Sequence, residues 1–418
     1  VLCLTARPLE AEEIHRNVLK IYRDQANKRM DDVSFLRHFC FCLATFADIL
    51  RMMGRPYEAI DPYLEAVQLA RELVKKEPEA LAVLVPFTLA GCALPLRQIG
   101  RYSEAEEAYL EAIEVSRQLT ETSPDIFSKH LAGTLADSAV LLRQTGRTSE
   151  AEEKCREALR IHRELAAKER GQHDYELPWN LNNLAVLLRK TGRVAEAEET
   201  YREALHIARE TSREAPEAIF LIEPVATILN NLAVLFRQTG RRPEAEEAIL
   251  EALEIRRQLA QKSPEYFLHR VATTLNNLGV LLAESGKTVE AEEALREALQ
   301  IRRDIVEKSS GLYQPSVGST LNNLAVLLKQ SGRTSDAEDA YREAIDIGEE
   351  LVSRAPTVYQ RELGRTLSNY ALLLSDIDSI DALQKIMTRL EKLAIESMPE
   401  SEEWSEEEEE EAWPPGAA

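Results

Sequence analysis

Residues 321–345 read LNNLAVLLKQSGRTSDAEDAYREAI, and this stretch decides the fold. Leu321, Leu324, Ala325 and Leu328 recur at i, i+3, i+4 and i+7, the spacing that gathers apolar side chains on one stripe of a helix. Gly332 then stops that helix. After it, Ala337, Tyr341 and Ala344 form the stripe of a second helix running back against the first. The same punctuation occurs at Gly54, Gly100, Gly146, Gly192, Gly240 and Gly286, at intervals of 46, 46, 46, 48 and 46 residues, with 46 more to Gly332. A period this regular over most of 418 residues predicts stacked units that bury their apolar faces against one another. It argues against two or three private cores.

The small residue of the first helix is Ala47, Ala93, Ala139, Ala185, Ala233, Gly279 and Ala325. Two alanine rows answer it from the second helix, one running from Ala59 to Ala337 and one from Ala66 to Ala344. Small residues in register let paired backbones approach closely, so a bulky replacement such as Ala197→Leu is expected to overpack the seam. Prolines in Ser123-Pro124, Ala215-Pro216, Ser263-Pro264 and Ala355-Pro356 mark helix starts, with Ser123 and Ser263 as side-chain caps. Pro95, where other units carry Leu or Ile, is expected to bend its helix.

These placements resemble the tetratricopeptide repeat, although the period exceeds the usual length of about 34 residues. Repeats of the HEAT type have a period nearer to this one but do not explain the Gly and Ala positions. Leu-Asn-Asn-Leu-Ala-Val-Leu in residues 181–187, 229–235 and 321–327, with Leu275 to Leu281, is similar to the kinesin light chain, and the long units also resemble bacterial sensor arrays. The resemblance implies an all-α, right-handed superhelical solenoid of antiparallel helix pairs over residues 1–398. The parts are a partial N-terminal unit, seven full repeats and a degenerate cap whose turn reads Asp376-Ile377-Asp378. Register aligns Glu10-Ala11 with Glu58-Ala59, so Val1 to Thr5 read as the stump of a helix and a longer parent chain is expected.

In such arrays the function resides on a surface, and the resemblance puts it in the groove lined by first helices. The expected groove set is Asn183, Asn231, Asn277, Asn323 and Asn369, with Arg189, Arg237 and Lys329. An amide offers donors and an acceptor, so an asparagine ladder suits the backbone of an extended peptide. A second set, Asn182, Asn230, Asn276 and Asn322, lies beside it; either set could instead bond between adjacent helices and order the stack. Upstream the ladder gives way to Thr45, Gly91 and Asp137. Two cationic rows, Arg51 to Lys329 and Arg55 to Arg333, fall near helix C-termini, where cations are favoured for structural reasons alone.

The net charge of −21 disfavours nucleic acid. Eight of those charges come from Glu402, Glu403 and Glu406 to Glu411, in an acidic tail over residues 399–418 too polar to fold alone. Trp404 among these glutamates suggests that the tail competes for the basic groove. No uninterrupted apolar run approaches the ~20 residues that span a bilayer, and five unpaired-looking cysteines point to a reduced, cytoplasmic setting. Gly286-Lys287-Thr288 imitates a phosphate loop but lacks its earlier glycine and preceding strand. The histidines show no metal spacing, and no nucleophile and base pair up. The expected function is therefore a non-enzymatic, cofactor-free scaffold that binds a peptide or helix of a protein partner. The alternative is a regulatory segment of a larger signalling enzyme, an NTPase or a caspase-like protease.

Overall fold

The computed structural model describes residues 8–26, 28–168, 176–214, 218–308 and 314–393, which form eighteen helices and, among the described residues, no strand. Val1 to Thr5, Pro216 and the acidic tail with Trp404 lie outside the described residues. The chain divides into two compact units at Leu235 and Phe236, inside α11 (Ile219–Gln238).

The first unit contains α1 (Pro8–Ala26), then the pairs α2 (Val33–Met52) with α3 (Pro56–Lys76), α5 (Leu84–Gln98) with α6 (Tyr102–Thr122), α7 (Pro124–Gln144) with α8 (Thr148–Lys168), and α9 (Leu177–Lys190) with α10 (Val194–Glu214). A single turn, α4 (Pro78–Leu81), precedes α5. Each second helix packs on its own first helix, α3, α6 and α8 also pack on the first helix that follows, and the first helices meet in the order α2, α5, α7, α9.

The second unit contains α12 (Arg242–Lys262), the pairs α13 (Pro264–Glu284) with α14 (Thr288–Lys308), α15 (Gln314–Gln330) with α16 (Thr334–Arg354), and α17 (Pro356–Asp376) with α18 (Ile380–Lys392). Its first helices meet in the order α13, α15, α17.

All seven turn glycines have positive φ, from 74° to 80°. The left-handed residue lets the following amide reach back five residues, as Arg333 N does to Leu328 O at 2.9 Å. In the last pair Asp378 takes the same place at φ 53°, and Ser379 N reaches Leu374 O at 2.9 Å. The degenerate turn thus keeps the geometry without the glycine.

The seam follows the alanine rows. Ala59, Ala105, Ala151, Ala197, Ala245, Ala291 and Ala337 are all fully buried. Gly279, the exception in the first-helix row, is explained by its neighbour: a Cβ there would lie 2.6 Å from Leu295 Cγ.

Pro124, Pro264 and Pro356 begin α7, α13 and α17 as expected, but Ser123 and Ser263 make no side-chain cap bond. Each is also the residue that ends the preceding helix, at φ −146°, and its own amide bonds back to Leu119 or Leu259. α5 continues through Pro95 to Gln98. By length and composition alone α2 is apolar enough to cross a membrane, although Arg37, Asp48 and Arg51 interrupt it and 61% of its most apolar window is buried against protein.

Charged residues tie consecutive units together. Arg71–Glu111, Arg117–Glu157 and Arg163–Glu203 in the first unit, and Arg257–Glu297 and Arg303–Glu343 in the second, bridge successive second helices at 2.5–2.8 Å. The row just past the glycines is structural in the same way. Arg193 reaches back to Glu152 at 2.7 Å, and Arg333 to Glu292 at 2.7 Å while also holding Asp336 at 2.6 Å.

Candidate functional site

The asparagine pairs sit on the first helices where successive first helices meet. In the first unit Asn231 Nδ2 donates to Asn182 Oδ1 at 2.9 Å. In the second unit Asn323 Nδ2 donates to Asn276 Oδ1 at 3.1 Å and Asn369 Nδ2 to Asn322 Oδ1 at 3.0 Å. The two sets are thus interlocked, with the second asparagine of one pair reaching back to the first asparagine of the pair before it. Asn182, Asn276, Asn322, Asn323 and Asn369 have no exposed surface, and Asn231 and Asn277 have little. Each such bond fastens two helices inside the protein, where removal of one partner strands the other at a cost of about 1–3 kcal/mol.

The interlock runs out at α9. One repeat before Asn182 the residue is Ala136, so Asn183 has no amide behind it to engage. Asn183 Oδ1, Trp179 Nε1 and Asn180 Nδ2 are buried and make no hydrogen bond among the described residues, with Asn183 6% and Trp179 4% exposed. Trp179 and Asn183 stand one helical turn apart on one face.

The cationic column divides by unit. In the second unit Arg237 holds Glu284 at 2.5 Å and Lys329 holds Asp376 at 2.9 Å, each acid coming from the following first helix. In the first unit the corresponding positions after Arg51, Arg97 and Arg143 are Gln98, Gln144 and Lys190. Two other acids serve there. Asp48 lies 3.6 Å from Arg51 and accepts from Tyr63 Oη at 2.5 Å; burial nonetheless raises its carboxyl to about 6. Burial raises Asp137 further, to about 7, against the pull of Arg97 and Arg51. Arg143 is held down to about 10, first by burial and then by the charges of Arg97 and Arg189. Arg97 and Arg189 are themselves less than one-tenth exposed.

Profiles of the tetratricopeptide repeat match residues 93–119, 131–168, 181–212, 224–304 and 317–356, on the same helix pairs that the glycine turns delimit. The chain belongs to the tetratricopeptide repeat family. A profile of anaphase-promoting complex subunit 5 also matches residues 15–89. No curated protein matches the chain. Among solved structures, the Rap protein complexed with competence and sporulation factor is 13% identical at a TM-score of 0.55, covering 91% of this chain and 98% of that one. The quorum sensor NprR from B. thuringiensis in its apo form is 14% identical, also at 0.55, covering 92% and 98%. BtubC (BKLC) from P. vanneervenii is 30% identical over 59% of this chain and 90% of that one, at a TM-score of 0.47. The Rap and NprR likenesses establish the shared fold.

Tetratricopeptide scaffolds are generally non-catalytic. Among the described residues no three His, Cys, Asp or Glu side chains gather as a metal site would require. Cys40, Cys42, Cys92 and Cys155 are free thiols, and burial pushes Cys40 and Cys155 up to about 12.

Sequence reasoning missed one polar feature of the repeat. The second-helix column Ala70, Ser116, His162, Ala208, Arg256, Arg302 and Gly348 faces the next first helix, and Arg256 and Arg302 are fully buried there. Arg256 Nη1 donates to Thr274 Oγ1 at 2.6 Å and Arg270 O at 3.4 Å, and Arg302 Nη1 to Ser316 O at 2.7 Å and Thr320 Oγ1. The signal was available, because the column lies four residues beyond the second alanine row and so on the buried stripe.

Proposed function

We propose that this chain is a protein-interaction module that takes an extended peptide or helical segment of a partner against the faces of its first helices. Membership in the tetratricopeptide family supports a binding role. The observation that carries the finer reading is α9, where Trp179 Nε1 and Asn183 Oδ1 form a donor and an acceptor on one face, buried and without a hydrogen bond among the described residues. Groups left in that state each cost about 1–3 kcal/mol, and a peptide backbone supplies the matching carbonyl and N–H. Arg189, on the same helix, adds a cation for acidic side chains of the ligand. Asn231, Asn323 and Asn369 are spent on fastening successive first helices, and Arg237 and Lys329 on ion pairs with Glu284 and Asp376. We place the module in the cytoplasm, in keeping with its free thiols.

The test is to select binders to the full chain from a random peptide library and to measure the best of them on variants. Asn183→Ala removes the side-chain amide and Trp179→Phe puts a smaller ring without an N–H in place of the indole, and each is expected to weaken binding about tenfold with unchanged helicity. Undiminished affinity in both variants would sink the reading.

A further inference from the structure

In the second unit the seam between a second helix and the following first helix is built three times, and the third is unlike the other two. After α12 and α14 a buried guanidinium fills it. Arg256 meets Arg270 O and Thr274 Oγ1; Arg302 meets Ser316 O and Thr320 Oγ1. In each case the acceptors lie fourteen and eighteen residues beyond the arginine, and the threonine hydroxyl is itself turned to that carbonyl, at 3.1 Å for Thr274 and 3.0 Å for Thr320.

After α16 the same acceptor pair is present. Thr366 Oγ1 lies 3.2 Å from Glu362 O, fourteen and eighteen residues beyond position 348. Position 348, however, is a glycine. The space where the two earlier seams hold a guanidinium is here a small open cleft of about 20 Å³, lined by Leu351, Tyr359 and Leu363 with Glu362 and Thr366. Glu362 replaces Arg270 and Ser316 of the earlier seams, so the third cleft carries a carboxylate that they lack; that carboxylate also lies 3.2 Å from Arg365.

The structure assigns this cleft as a binding pocket for a guanidinium group, supplied by an arginine side chain of a partner polypeptide. The receptor is the one the protein already uses twice for its own arginines, and it is open from outside. A guanidinium suits it better than an ammonium. Its planar fork addresses a carbonyl and a hydroxyl together, and its weakly hydrated faces rest on apolar walls. The pocket is separate from the face proposed above and stands or falls independently of it.

Calorimetric titration of the full chain tests this with methylguanidinium, methylammonium, free arginine and a capped Gly-Arg-Gly peptide. Saturable binding of methylguanidinium and of the capped peptide is expected, with methylammonium much weaker. Thr366→Val keeps the shape and removes the hydroxyl acceptor, and should weaken binding about tenfold. The pair Gly348→Arg and Leu363→Val recreates the Arg302 and Val317 arrangement. The second change is needed because a Cβ at position 348 would lie 2.9 Å from Leu363 Cδ1. That double variant should fill the cleft and abolish binding. Equal binding of methylammonium, no saturable binding, or undiminished binding in Thr366→Val would each overturn the assignment. Binding of free arginine without binding of the capped peptide would overturn its attribution to a polypeptide.

Discussion

The two units build their first helices on one template and use it differently. In the second unit the inner columns are closed: Asn323 and Asn369 reach back to Asn276 and Asn322, and Arg237 and Lys329 are matched by Glu284 and Asp376. In the first unit they close where Asn231 meets Asn182 and where Arg51 pairs with Asp48 of its own helix. The amide interlock ends at α9 with Asn183 Oδ1 and Trp179 Nε1 unengaged among the described residues. At the corresponding positions after its arginines the sequence has glutamines and a lysine, and burial holds Asp48 and Asp137 above the usual carboxylate range. A repeat can therefore spend the same polar positions on cohesion or leave them outside the interlock, and which it does depends on the residue one period away.

The largest expected effect tests the closed side. Asn322→Ala removes the acceptor of Asn369 and a neighbour of Asn323, and should destabilise the second unit by about 2–3 kcal/mol. Hydrogen exchange of α15 and α17 reads that loss locally, which matters in an array that need not unfold in one step. Asn183→Ala, at the open end, should cost under about 1 kcal/mol. Equal losses at both positions would break the comparison.

Overpacking tests whether the difference is confined to polar columns. Ala197→Leu and Ala337→Leu lie in the same fully buried row, one in each unit, and each should cost about 1–3 kcal/mol in thermal or urea unfolding. A tolerant seam in one unit would show that the units also differ in packing.

A smaller effect depends on pH. Asp137 titrates at about 7 when folded and near 3.8 when unfolded, so the native state holds the extra proton between those values. Its contribution to stability therefore falls as pH rises from about 4 to about 7. Asp137→Asn is expected to stabilise the first unit by about 1 kcal/mol at pH 8, with the gain disappearing near pH 4. A gain independent of pH would mean that the carboxylate is already balanced by Arg97 and Arg51. The smallest effect is expected from the outer ion pairs, since Arg117→Ala breaks one exposed bridge to Glu157 and should cost at most about 0.5 kcal/mol.

Much of the scaffold was legible because it rests on local rules. Gly332 and its six counterparts read as turns, and the alanine rows as seams, because glycine enters a left-handed turn at no steric cost and small side chains allow a close helix contact. The cap at Asp378 was legible by counting one more period. The serine caps were not. Ser123 ends one helix while starting the next, and that dual role fixes its backbone in a way no single-helix rule anticipates.

The sequence by itself determined the period, the pairing of helices and which residues each pair buries, since those follow from apolar spacing within about 46 consecutive residues. Only the tertiary structure decided what the polar residues do. Whether Asn231 meets Asn182, whether Arg302 finds Thr320, and whether Gly348 leaves a cleft beside Thr366 depend on how the helices of successive pairs are set against each other. A hydrogen bond is satisfied or stranded by shifts of less than an ångström, and such shifts are set by side-chain packing across the seams rather than by the spacing of residues along the chain.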